Sequence, residues 1–260
     1  MTYQNILSEI KNGTLYITIN REKKLNALNK DTLAELADAV AFAQENPEVK
    51  CVLLTGAGEK AFVAGADISE FSSYTPEQGE ALARNGQATV FDAIENSRKP
   101  FLAAINGFAL GGGLELAMAC HIRVAADTAK MGLPEVTLGL IPGYGGTQRL
   151  TQLVGKGRAT EMIITAEMIT AEKAERIGLV NYSVPAQELI VKSEEILNKI
   201  KQRAPLAVAA AISAVNAVYR DGVNGFEVEI KEFGKCFGNE DFKEGVTAFL
   251  TKRAPEFKAL

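Results

Sequence analysis

Short apolar runs of strand length alternate with segments of helical period up to about residue 185, and then the strands stop. That order restricts the chain to an α/β body with a helical tail, because helices interleaved with short buried strands must cover a sheet. Residues 6–10 and 16–19, either side of Gly13, read as a two-stranded hairpin. Residues 29–46 read as a helix: Leu33, Leu36, Val40 and Ala43 recur at helical spacing, and Asn29 or Asp31 can cap its start. Residues 51–54, 101–105 and 122–125 are buried strand runs. Residues 76–96 read as one long helix, with Leu82, Val90, Phe91 and Ile94 apolar. A glycine run at 111–113 opens a helix reaching Cys120, and another helix begins near Gly145. Beyond Pro185, residues 187–201, 205–220, 225–237 and 242–251 all read as helices, with Phe226, Phe233, Phe237 and Phe249 on faces that can pack on another subunit or on the chain itself.

Bulk properties narrow the function. A net charge of −4 argues against a general nucleic-acid or acidic-membrane binder. Lys192, Lys199, Lys201 and Arg203 cluster near one helix, but Glu188, Glu194 and Glu195 interleave with them as on a solvated surface. The three cysteines, Cys51, Cys120 and Cys236, are odd in number and lack metal-ligand spacing, so they read as reduced and buried in a cytoplasmic protein. Residues 1–5 lack the basic start and apolar run of a signal peptide, and no apolar stretch reaches the roughly 18 residues of a membrane helix. The single histidine, His121, excludes a multi-histidine metal site and reads as a structural imidazole.

Two acids carry the chemistry. Glu115 follows Gly111-Gly112-Gly113-Leu114 and precedes an apolar run; Glu135 follows Leu133-Pro134 and precedes Val136, Leu138, Leu140 and Ile141. A carboxylate among apolar neighbours is costly unless paired or protonated, so both acids are candidates for raised and separated pKa values, the condition for one to act as acid and the other as base. Glu115 also suits a plainer use, facing the positive end of its helix. The glycine run can cradle a phosphate, permit close backbone packing, or present a free helix-start N–H to an oxyanion; the last is the preferred use. The spacing is neither that of a dinucleotide fingerprint nor of a P-loop. Ala64-Gly65-Ala66-Asp67 offers a second loop donor, with Asp67 expected to cap the turn that follows.

Taken in order, Leu25-Asn26-Ala27-Leu28, Ala64-Gly65-Ala66-Asp67-Ile68, the 106–117 segment with its glycine run, Pro134-Glu135-Val136-Thr137-Leu138-Gly139, the 142–150 segment and Glu244-Gly245-Val246-Thr247-Ala248-Phe249 resemble the enoyl-CoA hydratase, or crotonase, family over nearly the whole chain. The resemblance implies an α/β, crotonase-like superhelix of strand-strand-helix units (1–186, holding the active site) with a helical C-terminal subdomain (187–260) for oligomer contacts and coenzyme A cover. It implies homotrimers or dimers of trimers, acyl-CoA thioester substrates of lipid metabolism, and no cofactor beyond the coenzyme A that the substrate carries. Its oxyanion hole maps to the N–H groups of Ala66 and Gly112, and its catalytic acids to Glu115 and Glu135. Coenzyme A contacts map to Lys24, Leu25, Ala64, Ala66, Asp67, Ile68, Ser69 and Gly112, with Phe249 and Lys252 reaching a neighbouring subunit's nucleotide. Ser69 stands where many hydratases carry lysine. The presence of both acids favours a hydratase over an isomerase or other acyl-CoA lyase of the same fold; an RNA-binding relative is a remote alternative, without a basic face to support it.

Overall fold

The computed structural model describes residues 3–258. Its strands are β1 (Ile6–Lys11), β2 (Thr14–Ile19), β3 (Cys51–Gly56), β4 (Ala61–Val63), β5 (Phe101–Ile105), β6 (Phe108–Leu110), β7 (Ile122–Ala126), β8 (Lys130–Gly132), β9 (Ile169–Thr170) and β10 (Tyr182–Val184). Its helices are α1 (Lys30–Glu45), α2 (Pro76–Gly86), α3 (Asp92–Glu95), α4 (Gly112–Ala119), α5 (Gly146–Val154), α6 (Lys156–Thr165), α7 (Ala171–Arg176), α8 (Leu189–Lys201), α9 (Pro205–Ala217), α10 (Gly225–Cys236) and α11 (Glu240–Leu250).

The strands form two sheets. A six-stranded sheet runs β1-β2-β3-β5-β7-β10, and a four-stranded sheet runs β4-β6-β8-β9. The hairpin of β1 and β2 closes on Asn12 and Gly13, both at positive φ (50° and 77°), the backbone that a two-residue hairpin turn requires. From β2 onward neighbours in the first sheet are parallel. Successive strands of the chain alternate between sheets, β3 then β4, β5 then β6, β7 then β8, each pair followed by helical structure. This is the strand-strand-helix repeat.

The first sheet is covered on both faces, which is why its strands read as unbroken apolar runs. Val52, Leu54, Phe101, Ala103 and Ile105 point into the main core with Leu36, Ala39, Val40 and Ala43 of α1. Their alternates Cys51, Leu53, Leu102 and Ala104 meet Leu189 and Leu197 of α8 on the opposite face. Each fully buried large side chain contributes roughly 1.5–3 kcal/mol. α1 starts where expected, with Asn29 Oδ1 accepting from the Thr32 amide at 3.0 Å.

One expected element differs. Residues 76–96 are helical but not one regular helix: α2 ends at Gly86, a π turn spans Gln87–Phe91, and α3 follows. The ring of Tyr144 packs against this stretch. It lies so close to Gly86 that any side chain there would overlap it, and it stacks on Phe91 at 4.7 Å and 15°. Across the wider turn Val90, Phe91 and Ile94 are all buried.

The strands of the second sheet escape sequence reading because most have three residues, too few to show a period. Their packing is tight. A Cβ on Gly113 would collide with the carbonyl of Val63, so α4 lies directly on the end of β4. Gly113→Ala is expected to destabilise the fold by about 3 kcal/mol, since rigid backbone opposes the methyl; urea denaturation measures it.

α9, α10 and α11 leave a broad apolar surface exposed, with Phe226 at 80% and Phe249 at 84% accessibility. The cations around α8 are largely engaged by the chain itself: Lys192 and Lys199 pair with Glu195 at 3.2 and 2.6 Å, and Lys201 donates to the carbonyl of Asn12. Cys51 and Cys120 are buried and Cys236 half-buried, all as free thiols. Among the described residues no helix is long and apolar enough to cross a membrane.

Candidate active site

Parallel pairing brings the site together. β4, β6 and β8 are neighbours in one sheet and point the same way, so the segments leaving them emerge at one end. Ala66 lies three residues past β4, Gly112 two past β6 and Glu135 three past β8.

The Ala66 amide is aimed by a β-bridge. Leu28 donates to the carbonyl of Gly65 (2.8 Å) and accepts from the amide of Asp67 (2.7 Å). Those bonds use the residues flanking Ala66, so its own N–H faces away from Leu28 and has no acceptor among the described residues. The Gly112 amide opens α4, where first-turn N–H groups have no intrahelical partner, and it too lacks an acceptor among the described residues. Gly111, at φ 49°, makes the turn between β6 and α4, and its ideal Cβ position is 3.8 Å from the Gly65 Cα. The two amide-bearing segments are therefore in contact. The three glycines divide the uses that the sequence left open: Gly111 turns the chain, Gly112 presents an amide and Gly113 permits backbone packing.

Glu115 is 1% exposed. Its Oε1 accepts from the amides of Tyr144 (2.8 Å) and Gly146 (2.7 Å), while Oε2 has no hydrogen-bond partner among the described residues. Burial, and next the negative charge of Glu135, push its pKa up to about 7 against the pull of those two amides and of Arg149. Glu135 opens the 3₁₀ turn Glu135–Leu138. Its Oε1 lies 2.9 Å from the ideal Cβ position of Gly111, and its buried Oε2 has no partner among the described residues. Burial raises its pKa as well. The site thus holds two carboxyls of raised pKa beside two acceptor-free amides. That set can stabilise negative charge on a carbonyl oxygen and move protons at neighbouring carbons.

The other site residues predicted from the sequence divide into two groups. Lys24, Leu25, Ala64, Asp67, Ile68 and Ser69 gather at the same rim: the Ala64 amide donates to the Leu25 carbonyl at 3.0 Å, and Leu25, at φ 49°, closes the short turn carrying Lys24. Phe249 and Lys252 are not brought to this rim within one chain; they lie at the end of α11, where Phe249 borders an apolar concavity with Ala204, Phe242 and Phe257. Asp67 does not cap the 68–70 turn. Its carboxylate instead accepts from Ser69 Oγ (2.7 Å) and pairs with the Arg21 guanidinium (3.2 Å), so that both of its oxygens are engaged. His121 is structural: Nδ1 accepts from the Phe101 amide at 2.9 Å, Nε2 meets the Glu95 carbonyl, and burial lowers its pKa to about 4.

Sequence reading missed the partners of these groups. Tyr144 and Gly146 as donors to Glu115, Arg21 as the partner of Asp67 and Asn26 as the buried brace of the 21–28 turn all depend on long-range contacts. The one local signal was the glycine-rich 142–149 segment.

A profile of the family described as enoyl-CoA hydratase/isomerase matches residues 9–259. The crotonyl-CoA hydratase of Syntrophomonas wolfei is 46% identical over 258 residues, covering 99% of each chain. The short-chain-enoyl-CoA hydratase of Clostridium acetobutylicum is 47% identical over 257 residues, covering 98% of each. The crystal structure of enoyl-CoA hydratase from Bacillus anthracis superposes with a TM-score of 0.92 at 41% identity, covering 98% of this chain and 99% of that one.

Proposed function

Because the chain belongs to the enoyl-CoA hydratase/isomerase family, we infer that it is an enoyl-CoA hydratase, adding water reversibly and syn across the α,β double bond of a 2-enoyl-CoA to give the 3-hydroxyacyl-CoA. The observation that carries this reading is the convergence of Glu115 and Glu135 on one pair of free amides. The thioester oxygen binds between the N–H groups of Ala66 and Gly112, which stabilise the enolate-like charge as water adds; one such donor is worth roughly 100- to 1,000-fold in rate. Glu115, with Oε1 held, offers Oε2 to orient the water and take its proton as oxygen attacks C3. Glu135 delivers the proton to C2. The two carboxyls titrate as a pair, and the reverse reaction exchanges their roles.

Coenzyme A lies along Lys24, Leu25, Ala64 and the Asp67–Ser69 turn. No further cofactor enters, since the thioester itself activates the double bond. The exposed phenylalanines of α10 and α11 support assembly as a homotrimer or a dimer of trimers, in which Phe249 and Lys252 cover a neighbour's nucleotide. A cytoplasmic location and a role in fatty-acid metabolism complete the reading.

Loss of enoyl absorbance with crotonyl-CoA tests it. Hydration is expected. Double-bond migration in a 3-enoyl-CoA with crotonyl-CoA left unchanged would identify an isomerase instead. The rate has a signed pH dependence. Glu115 must be ionised to take a proton from water, and its pKa is about 7. The kcat/KM for hydration is expected to fall below pH 7, approaching about tenfold per unit, in a pH series at substrate well below saturation.

A further inference from the structure

Beneath Glu115 lies a buried cation that the chemistry above does not use. Arg149, on the first turns of α5, is 6% exposed. Its Nη1 donates to the carbonyl of Tyr144 at 2.9 Å. Its Nη2 donates to Asp92 Oδ1 at 2.7 Å and Glu95 Oε2 at 2.6 Å, and its Nε to Glu95 Oε2 at 3.2 Å. The guanidinium presses so closely on Gly145, at φ 91°, that any side chain there would overlap it. The turn it holds from below, Tyr144-Gly145-Gly146, is the one whose two amides grip Glu115 Oε1 from above.

We propose that Arg149, clamped by Asp92 and Glu95 of α3, is a positioning residue for Glu115: it fixes the 144–146 turn, so that one carboxylate oxygen is held and the other is left for water. The inference rests on the hydratase reading. A guanidinium suits this place because it can fork to a carbonyl and two carboxylates at once. The π turn places both carboxylates there, delivering Asp92 and Glu95 to one cation while Phe91 stacks on Tyr144. The charged and titratable groups facing Glu115 are Glu135 from the turn after β8, Tyr144 from the loop before α5 and Arg149 from α5, with Asp92 and Glu95 acting through Arg149. The positive charge favours ionised Glu115, and the α3 carboxylates partly cancel it.

The test is the pH–rate profile of crotonyl-CoA hydration in three variants. In Arg149→Gln the acid limb is expected to move up by about one pH unit, with kcat at pH 7 reduced at least about tenfold and KM within about twofold of wild type. In Glu95→Gln the limb is expected to move the opposite way. Arg149→Lys keeps the charge without the fork, so its limb stays near that of wild type while kcat falls; it also serves if Arg149→Gln fails to fold. Limbs unmoved in both Arg149→Gln and Glu95→Gln, or Arg149→Lys with unchanged kcat, would overturn the proposal. A wild-type enzyme that does not hydrate crotonyl-CoA would instead remove the hydratase reading beneath it.

Discussion

Glu135→Gln is expected to lower kcat for crotonyl-CoA hydration by about 10²- to 10⁴-fold while KM changes little. The amide is nearly isosteric with the acid but cannot deliver a proton to C2. The substitution disturbs little else: among the described residues Glu135 makes no salt bridge and its Oε2 has no partner, and the half-buried side chain sits on a short turn. Unfolding by denaturant should therefore show no loss of stability, since the neutral amide also escapes the desolvation that raises the acid's pKa. The residual activity carries a second signature. Glu135 must be protonated to deliver to C2, so the wild-type rate also falls at high pH, and that basic limb should be missing from the remaining rate. Steady-state rates across pH read both effects, and turnover close to wild type would remove Glu135 from the mechanism.

Gly112→Pro isolates the other half of the site. Proline deletes one N–H and keeps the carbonyl, and the first position of a helix is where an α-helix accepts it, because that amide has no helical acceptor. The first added carbon fits: a Cβ at Gly112 would stand 3.5 Å from the Tyr144 ring and 3.6 Å from Leu28, ordinary contact distances, and the ring Cδ takes the place of the N–H hydrogen. Loss of one oxyanion donor is expected to reduce kcat by roughly 100- to 1,000-fold. Gly112→Ala adds the same first carbon but retains the N–H, so it should lose far less. Circular dichroism and thermal melting establish that both variants fold. Equal losses in the two would mean that the Gly112 amide does not bind the oxyanion.

Much of the frame is legible along the chain. The 3.6-residue period of Leu36, Val40 and Ala43, the break at Gly13 and the apolar runs of β3, β5 and β7 are local signals with local causes. They correspond to α1, the hairpin and the centre of the six-stranded sheet. The long helix expected over 76–96 is correct in extent but wrong in regularity: a π turn interrupts it next to Gly86, where Tyr144 packs from far along the chain. Asp67 is misread for the same kind of reason: a neighbouring turn offers it a cap, but Arg21 offers it a charge.

Residue identities along the chain supplied the chemistry in kind: two glutamates in apolar settings, glycines that free backbone amides, and an order of elements compatible with one class of fold. Their meeting is a tertiary event. Three-residue strands carry no readable period, yet the parallel alignment of β4, β6 and β8 brings Ala66, Gly112 and Glu135 out at one edge. The ionisation of Glu115 is likewise set across the fold, by burial, by Glu135 and by a turn braced from α3 through Arg149. Carboxyl acidity depends on surrounding dielectric and charge, and those surroundings exist only once distant segments have packed.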